Sequence, residues 1–191
     1  MNYPNGIQKE KADNVVNYGN RGMVLEDDLN ITNDYYREND IAIIYKKPTP
    51  ITIHKVNYKS RDNAFIEKAS FKIPSTTDYN GIYKGKYIDF DAKETRSKTS
   101  FPLANIHEHQ LKHLDSIVRH GGIGFLIVRF VTLDKTFLLM WKDIKEFIHD
   151  GERKSIPLSY FETHGKLLEL NLRPRLDYLK YIGVMYEECQ K

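Results

Sequence analysis

Cysteine is nearly missing from this 191-residue chain, where Cys189 is the only one. A single thiol excludes an intramolecular disulfide and fits a reducing compartment. A marked excess of either charge is also lacking. Lys and Arg number 29 against 26 Asp and Glu, a formal +3. That mildly basic balance is compatible with a nucleic-acid partner without requiring one. No apolar run is long enough to span a bilayer, and the first 22 residues lack the apolar core of a signal peptide. The expectation is a cytoplasmic protein with no membrane partner. Internal repeats and a second domain boundary are absent too. Residues 1–191 therefore read as one domain, with 40% hydrophobic and 29% charged residues, as in ordinary globular chains.

Residues 1–22 are polar and rich in Gly and Asn, which predicts a flexible arm. Leu25, Leu29, Thr32 and Tyr36 recur at helical spacing within residues 23–40. The β-branched run IAIIYKK then predicts a strand. ITIHKVNY and AFIEKASFKI alternate on either side of the breaker NYKSRDN, so residues from about 50 to 74 read as a long projecting hairpin. Lys46, Lys47, His54, Lys55, Lys59, Arg61, Lys68 and Lys72 make it basic. Charge alone leaves a solvated hairpin and a DNA contact equally open. SFPLANIHEHQLKHLDSIVRHGG predicts a helix stopped by Gly121 and Gly122. IGFLIVRF predicts a buried strand. KTFLLMWKDI predicts a strand leading into a short helix near Glu146. Leu176, Leu179, Ile182 and Met185 suggest a C-terminal helix. The fold class is mixed α/β (α+β), in one domain.

The chemistry concentrates in DYNGIYKGKYIDFDAK. KGK, Lys84–Lys86, predicts a tight turn that brings Asp78 alongside the second strand. Period-two alternation puts Ile88, Phe90 and Ala92 on one face and Tyr87, Asp89, Asp91 and Lys93 on the other. A solvent-facing strand would look the same. Phosphodiester hydrolysis, however, calls for a hard divalent cation, which takes oxygen ligands and keeps several waters. A lysine beside the second acid suits stabilisation of phosphoryl charge. Gln110 interrupts the apolar stripe of Leu103, Ile106, Leu114 and Ile117. It needs a buried partner, either a metal or its water, or sheet-edge backbone. His109 and His113 have the i, i+4 spacing of two zinc ligands, but no third ligand is evident. They read as helix-surface histidines, some touching phosphate.

NRGMVLEDDLN, KKPTPITI, PSTTDYNGIYKGKYIDFDAKET, KTSFPLANIHEHQ and RPRLDYL together resemble the RecU family of Holliday junction resolvases, in order from Asn20 to Leu179. Upstream, only YPNG matches. That family belongs to the PD-(D/E)xK nucleases. The resemblance implies a restriction-endonuclease-like core, with a central mixed sheet flanked by helices and a projecting hairpin stalk. It implies a homodimer that uses Mg²⁺, with Mn²⁺ as a substitute, to cut four-way DNA junctions by paired symmetric nicks in recombination and repair. Recombinase or branch-migration proteins would be further partners. By motif, Thr76, Asp78, Asp91 and Gln110 would hold the metal, with Asp78 and Asp91 catalytic and Lys93 stabilising the transition state. Arg21, Lys46, Lys47, Lys55, Lys59, Arg61 and Lys72 would bind DNA. The family usually carries Glu where this chain has Asp91, one methylene shorter. A PD-(D/E)xK nuclease for other DNA and a decayed junction-binding protein are the alternatives. Retention of all five site residues argues against decay.

Overall fold

The structure is a computed structural model that describes residues 23–58, 64–72, 76–151 and 153–183. Its centre is a six-stranded sheet in the order β1-β4-β5-β7-β8-β10. These strands are β1 (Ile43–Lys46), β4 (Tyr79–Tyr83), β5 (Lys86–Thr95), β7 (Ile123–Phe130), β8 (Lys135–Met140) and β10 (Lys166–Leu168). β5 and β7 are parallel, and the other neighbours are antiparallel. A parallel pair needs a crossover, supplied here by α2 (Glu108–Arg119).

The sheet is covered on both faces, so β7 is buried at every position, as its unbroken apolar run predicts. On one face α1 (Met23–Glu38) and the C-terminal segment close over Ile88, Phe90, Phe125 and Ile127. There the Phe90 ring stacks between Tyr79 and Phe125, at 4.8 and 4.6 Å. Against the other face pack α2, α3 (Trp141–His149) and α4 (Leu158–His164), over Leu126, Val128 and Leu139. The tight turn expected over Lys84–Lys86 is present with two residues, Lys84 and Gly85, since Lys86 in β5 already pairs with Tyr83. Lys84 and Gly85 both take left-handed φ, 47° and 75°, as the twist of a tight hairpin demands. At the sheet edge Gly81 lets β1 approach closely, since a Cβ there would lie 2.0 Å from the Ile43 carbonyl oxygen.

The predicted hairpin is present as β2 (Ile51–Tyr58) and β3 (Ala64–Phe71), paired only with each other. Its register runs from Ile51 opposite Phe71 to Tyr58 opposite Ala64, with an irregularity between Ile53 and Val56. Every residue of β3 is exposed. The arm at 1–22 and the hairpin tip at 59–63 lie outside the described residues.

Two expectations need correction. The helix expected from Ser100 begins only at Glu108. Ser100–Pro102 forms β6 instead, paired with β9 (Ser155–Pro157), and Leu103–Asn105 is a 3₁₀ turn. Pro102 has no N–H for a helix ladder and biases Phe101 to extended backbone. At the C-terminus, Leu176 sits in an isolated bridge with Leu170, and helix starts only at Leu179. Leu176 N–H donates to Thr32 Oγ1 at 2.8 Å and Leu179 N–H to the Tyr36 hydroxyl at 3.3 Å. Anchorage to α1 replaces the helical ladder there, while Leu176, Leu179 and Ile182 all stay buried. Met185 lies outside the described residues. Among the described residues no helix is long and apolar enough to cross a membrane.

Candidate active site

Tyr79 faces Phe90 in the β4–β5 ladder, so one step further the register brings Asp78 opposite Asp91. Asp78 Oδ2 accepts the Ala92 N–H at 3.1 Å, which pins that carboxylate beside β5. Asp91 is fully buried. The Lys93 ammonium pairs with Asp91 Oδ2 at 2.6 Å, and no other cation of the described residues meets the Asp91 carboxylate. Burial, first, and the neighbouring Asp78 carboxylate, second, push the Asp91 pKa up to about 8 against the pull of Lys93. A buried carboxylate is costly to ionise and makes a good oxygen ligand.

Gln110 belongs to the same place by topology. Because α2 connects parallel strands, it runs opposite to β5. His113 on α2 meets Asp89 at 3.1 Å. Three residues back along the helix, about 4.5 Å, and two residues forward on the strand, about 6.6 Å, bring Gln110 near the level of Asp91. Gln110 is buried, and its Oε1 accepts the His107 N–H at 3.1 Å in a capping box that starts α2. The backbone it meets is thus the start of its own helix rather than a sheet edge. Thr76 stands exposed at the mouth, its Oγ1 accepting from Lys47 at 3.1 Å.

Among the described residues no three His, Cys, Asp or Glu side chains converge. The donors here are two carboxylates and neutral oxygens. That set would fit a small hard cation that keeps part of its water shell, with the Asp78 and Asp91 carboxylates supplying the opposing negative charge. It does not fit zinc.

Asp89 and its partners are what sequence reasoning missed. Asp89 shares Asp91's face and is equally buried, but both its oxygens are taken. Thr77 Oγ1 donates to Oδ1. Lys47 Nζ at 2.8 Å, the Tyr87 hydroxyl at 3.0 Å and His113 Nε2 at 3.1 Å meet Oδ2. His113 is thus partly buried against the sheet, its side chain 25% exposed, with Nε2 turned to Asp89. Lys47, expected on DNA, turns inward instead, because a buried carboxylate needs a cation more than the surface does. The available signal was Asp89's position two residues before Asp91.

The other basic candidates divide. Lys46 pairs with Glu26 at the exposed sheet edge. Lys55 pairs with Glu67 across the hairpin at 2.8 Å, both exposed. Lys72 is exposed, with its N–H donated to the Pro50 carbonyl at 3.0 Å. Arg21, Lys59 and Arg61 lie outside the described residues.

Comparison with known proteins points the same way. The profile of the family described as Recombination protein U matches residues 20–183. A Holliday junction resolvase RecU of Geobacillus sp. (strain WCH70) is 54% identical over 89% of this chain and 86% of its own length. A protein of that name from Geobacillus kaustophilus is 50% identical over 97% and 92%. Another, from Oceanobacillus iheyensis, is 49% identical over 97% and 100%. The solved structure of Archaeoglobus fulgidus Hjc, a Holliday junction resolvase, covers 76% of this chain and 95% of its own at 10% identity, with a TM-score of 0.44. With a sequence match of this length and identity, the chain belongs to the RecU family.

Proposed function

We propose that this protein is a structure-selective endonuclease that resolves four-way DNA junctions. The observation that carries the reading is Asp91, buried, paired with Lys93 at 2.6 Å and set beside Asp78. Asp78 and Asp91, with Thr76 and Gln110, would hold Mg²⁺, for which Mn²⁺ can substitute. The cation supplies activation of water and neutralisation of phosphoryl charge. The Lys93 ammonium, within reach of the same pocket, stabilises the extra negative charge as the water oxygen bonds to phosphorus and the ester P–O bond breaks. Asp91 in place of the family's Glu fits the same role, since either acid presents two oxygens.

Two symmetric nicks need two sites, which a two-fold homodimer provides. Support comes from the hairpin. A two-stranded ribbon is marginal alone, and this one leaves Ile51, Ile53, Tyr58, Phe65, Ile66 and Phe71 exposed. A second copy would cover them. Lys55, Lys59, Arg61 and Lys72 would then meet the phosphates converging at a junction centre, with Arg21 and Lys46 contributing from the body. Cleavage of a four-way junction, linear duplex and single strand, each with Mg²⁺ or EDTA, tests the reading. The expected result is paired nicks in the junction with Mg²⁺ only. Equal cutting of duplex would instead indicate a nuclease of broader substrate range.

A further inference from the structure

The ammonium of Lys47 has three N–H donors, and all three are used. They go to Thr76 Oγ1 at 3.1 Å, Thr77 Oγ1 at 2.5 Å and Asp89 Oδ2 at 2.8 Å. The Lys47 backbone N–H donates to the Asp78 carbonyl at 2.7 Å. One residue thus grips the whole Thr76-Thr77-Asp78 segment, from both its backbone and its side chain. Its side chain is only 16% exposed, so no N–H is left for a phosphate. Lys47 directly follows β1. Pro48 and Pro50 then lead into the hairpin with restricted φ. Asp89 is the anchor, gathering Lys47, Thr77 and His113 from three other stretches of chain and Tyr87 from its own strand.

We propose that Lys47, anchored on Asp89, is a positioning residue that holds the ligand-bearing segment 76–78 and the root of the hairpin as one rigid piece. The inference rests on the nuclease reading, in which Thr76 and Asp78 are metal ligands. It assigns Lys47 a task other than DNA binding. Groups that orient metal ligands typically cost 10–100-fold in metal affinity when removed. Ligands on a loose loop would bind the cation weakly even though every ligand is still present.

Two variants test this, Lys47→Met and Thr77→Val. Mn²⁺ affinity is measured without DNA, junction and duplex affinity in EDTA over a range of salt, and cleavage with Mg²⁺. Each variant is expected to bind Mn²⁺ about 10–100-fold more weakly and to cut more slowly. The salt slope of junction binding should stay at its wild-type value, since no phosphate contact is lost, while the loosened hairpin root lowers junction affinity relative to duplex. Unchanged Mn²⁺ affinity in both variants overturns the proposal. So does a salt slope lowered by about 0.9 in Lys47→Met, which would make the ammonium a phosphate contact. Thr77→Val conserves side-chain shape and reads out even where Lys47→Met fails to fold. A wild-type protein that leaves junctions uncut removes the nuclease reading, whereas the Mn²⁺ and DNA measurements still decide the role of Lys47.

Discussion

Asp91 concentrates the chemistry of the site. With its pKa raised to about 8 by burial and by Asp78, it holds a proton at neutral pH until a cation displaces it. Metal binding should therefore strengthen from pH 6 to pH 8 and release close to one proton, measured by calorimetry in buffers of different ionisation enthalpy. For stability without metal the sign is opposite. The unfolded carboxyl ionises near 3.8, so between about pH 4 and 8 the unfolded chain binds fewer protons at this group, and its contribution to stability falls as pH rises. Asp91→Asn should lose all cleavage and melt higher than wild type at pH 8 in EDTA. Asp78→Asn should also lose cleavage, with junction binding kept in both. Lys93→Ala should slow cleavage by about 10²–10³ with little change in Mn²⁺ affinity.

The hairpin and the sheet edge make predictions of their own. Replacing Lys55, Lys59 and Arg61 with Ala should weaken junction binding more than duplex binding and flatten the salt dependence by about 0.9 per lost contact. Slow cleavage at high protein concentration should survive. Equal losses for both DNAs would make the hairpin a general phosphate clamp and leave selectivity to the dimer's geometry. Gly81→Ala would press a methyl into the Ile43 carbonyl and the Ile44 Cα. The expected cost is about 1–3 kcal/mol, as for overpacking, read by denaturant unfolding. Because β1 carries the root of the hairpin, junction selectivity should fall with it.

For the whole molecule, the proposed symmetric double nick ties function to assembly. Sedimentation should find a dimer at micromolar concentration, and the exposed apolar residues of the hairpin should become protected in it. A monomer that still binds one junction would overturn the two-site scheme. Charge offers no shortcut to the same conclusion, because a formal +3 over 191 residues is weak steering. Affinity has to come from where the cations stand.

Much of this was legible in the sequence because it depends on short-range periodicity. The alternation of IDFDAK placed Asp89, Asp91 and Lys93 on one face, Lys84 and Gly85 marked the turn, and the apolar run of β7 announced burial on both sides. The long family motifs carried the rest of the catalytic assignment. Periodicity could not divide the polar face among its members. Asp91 keeps Lys93 as its cation while Asp89 meets four polar groups, because the segment 76–78, the end of β1 and α2 converge on Asp89 from across the chain. Lys47 looked like one more basic residue beside a basic hairpin. Only the tertiary structure turns it inward, where a buried carboxylate demands a cation. For the same reason Gln110 reads in sequence as a polar residue in need of a partner, and the folded chain supplies one at the start of its own helix.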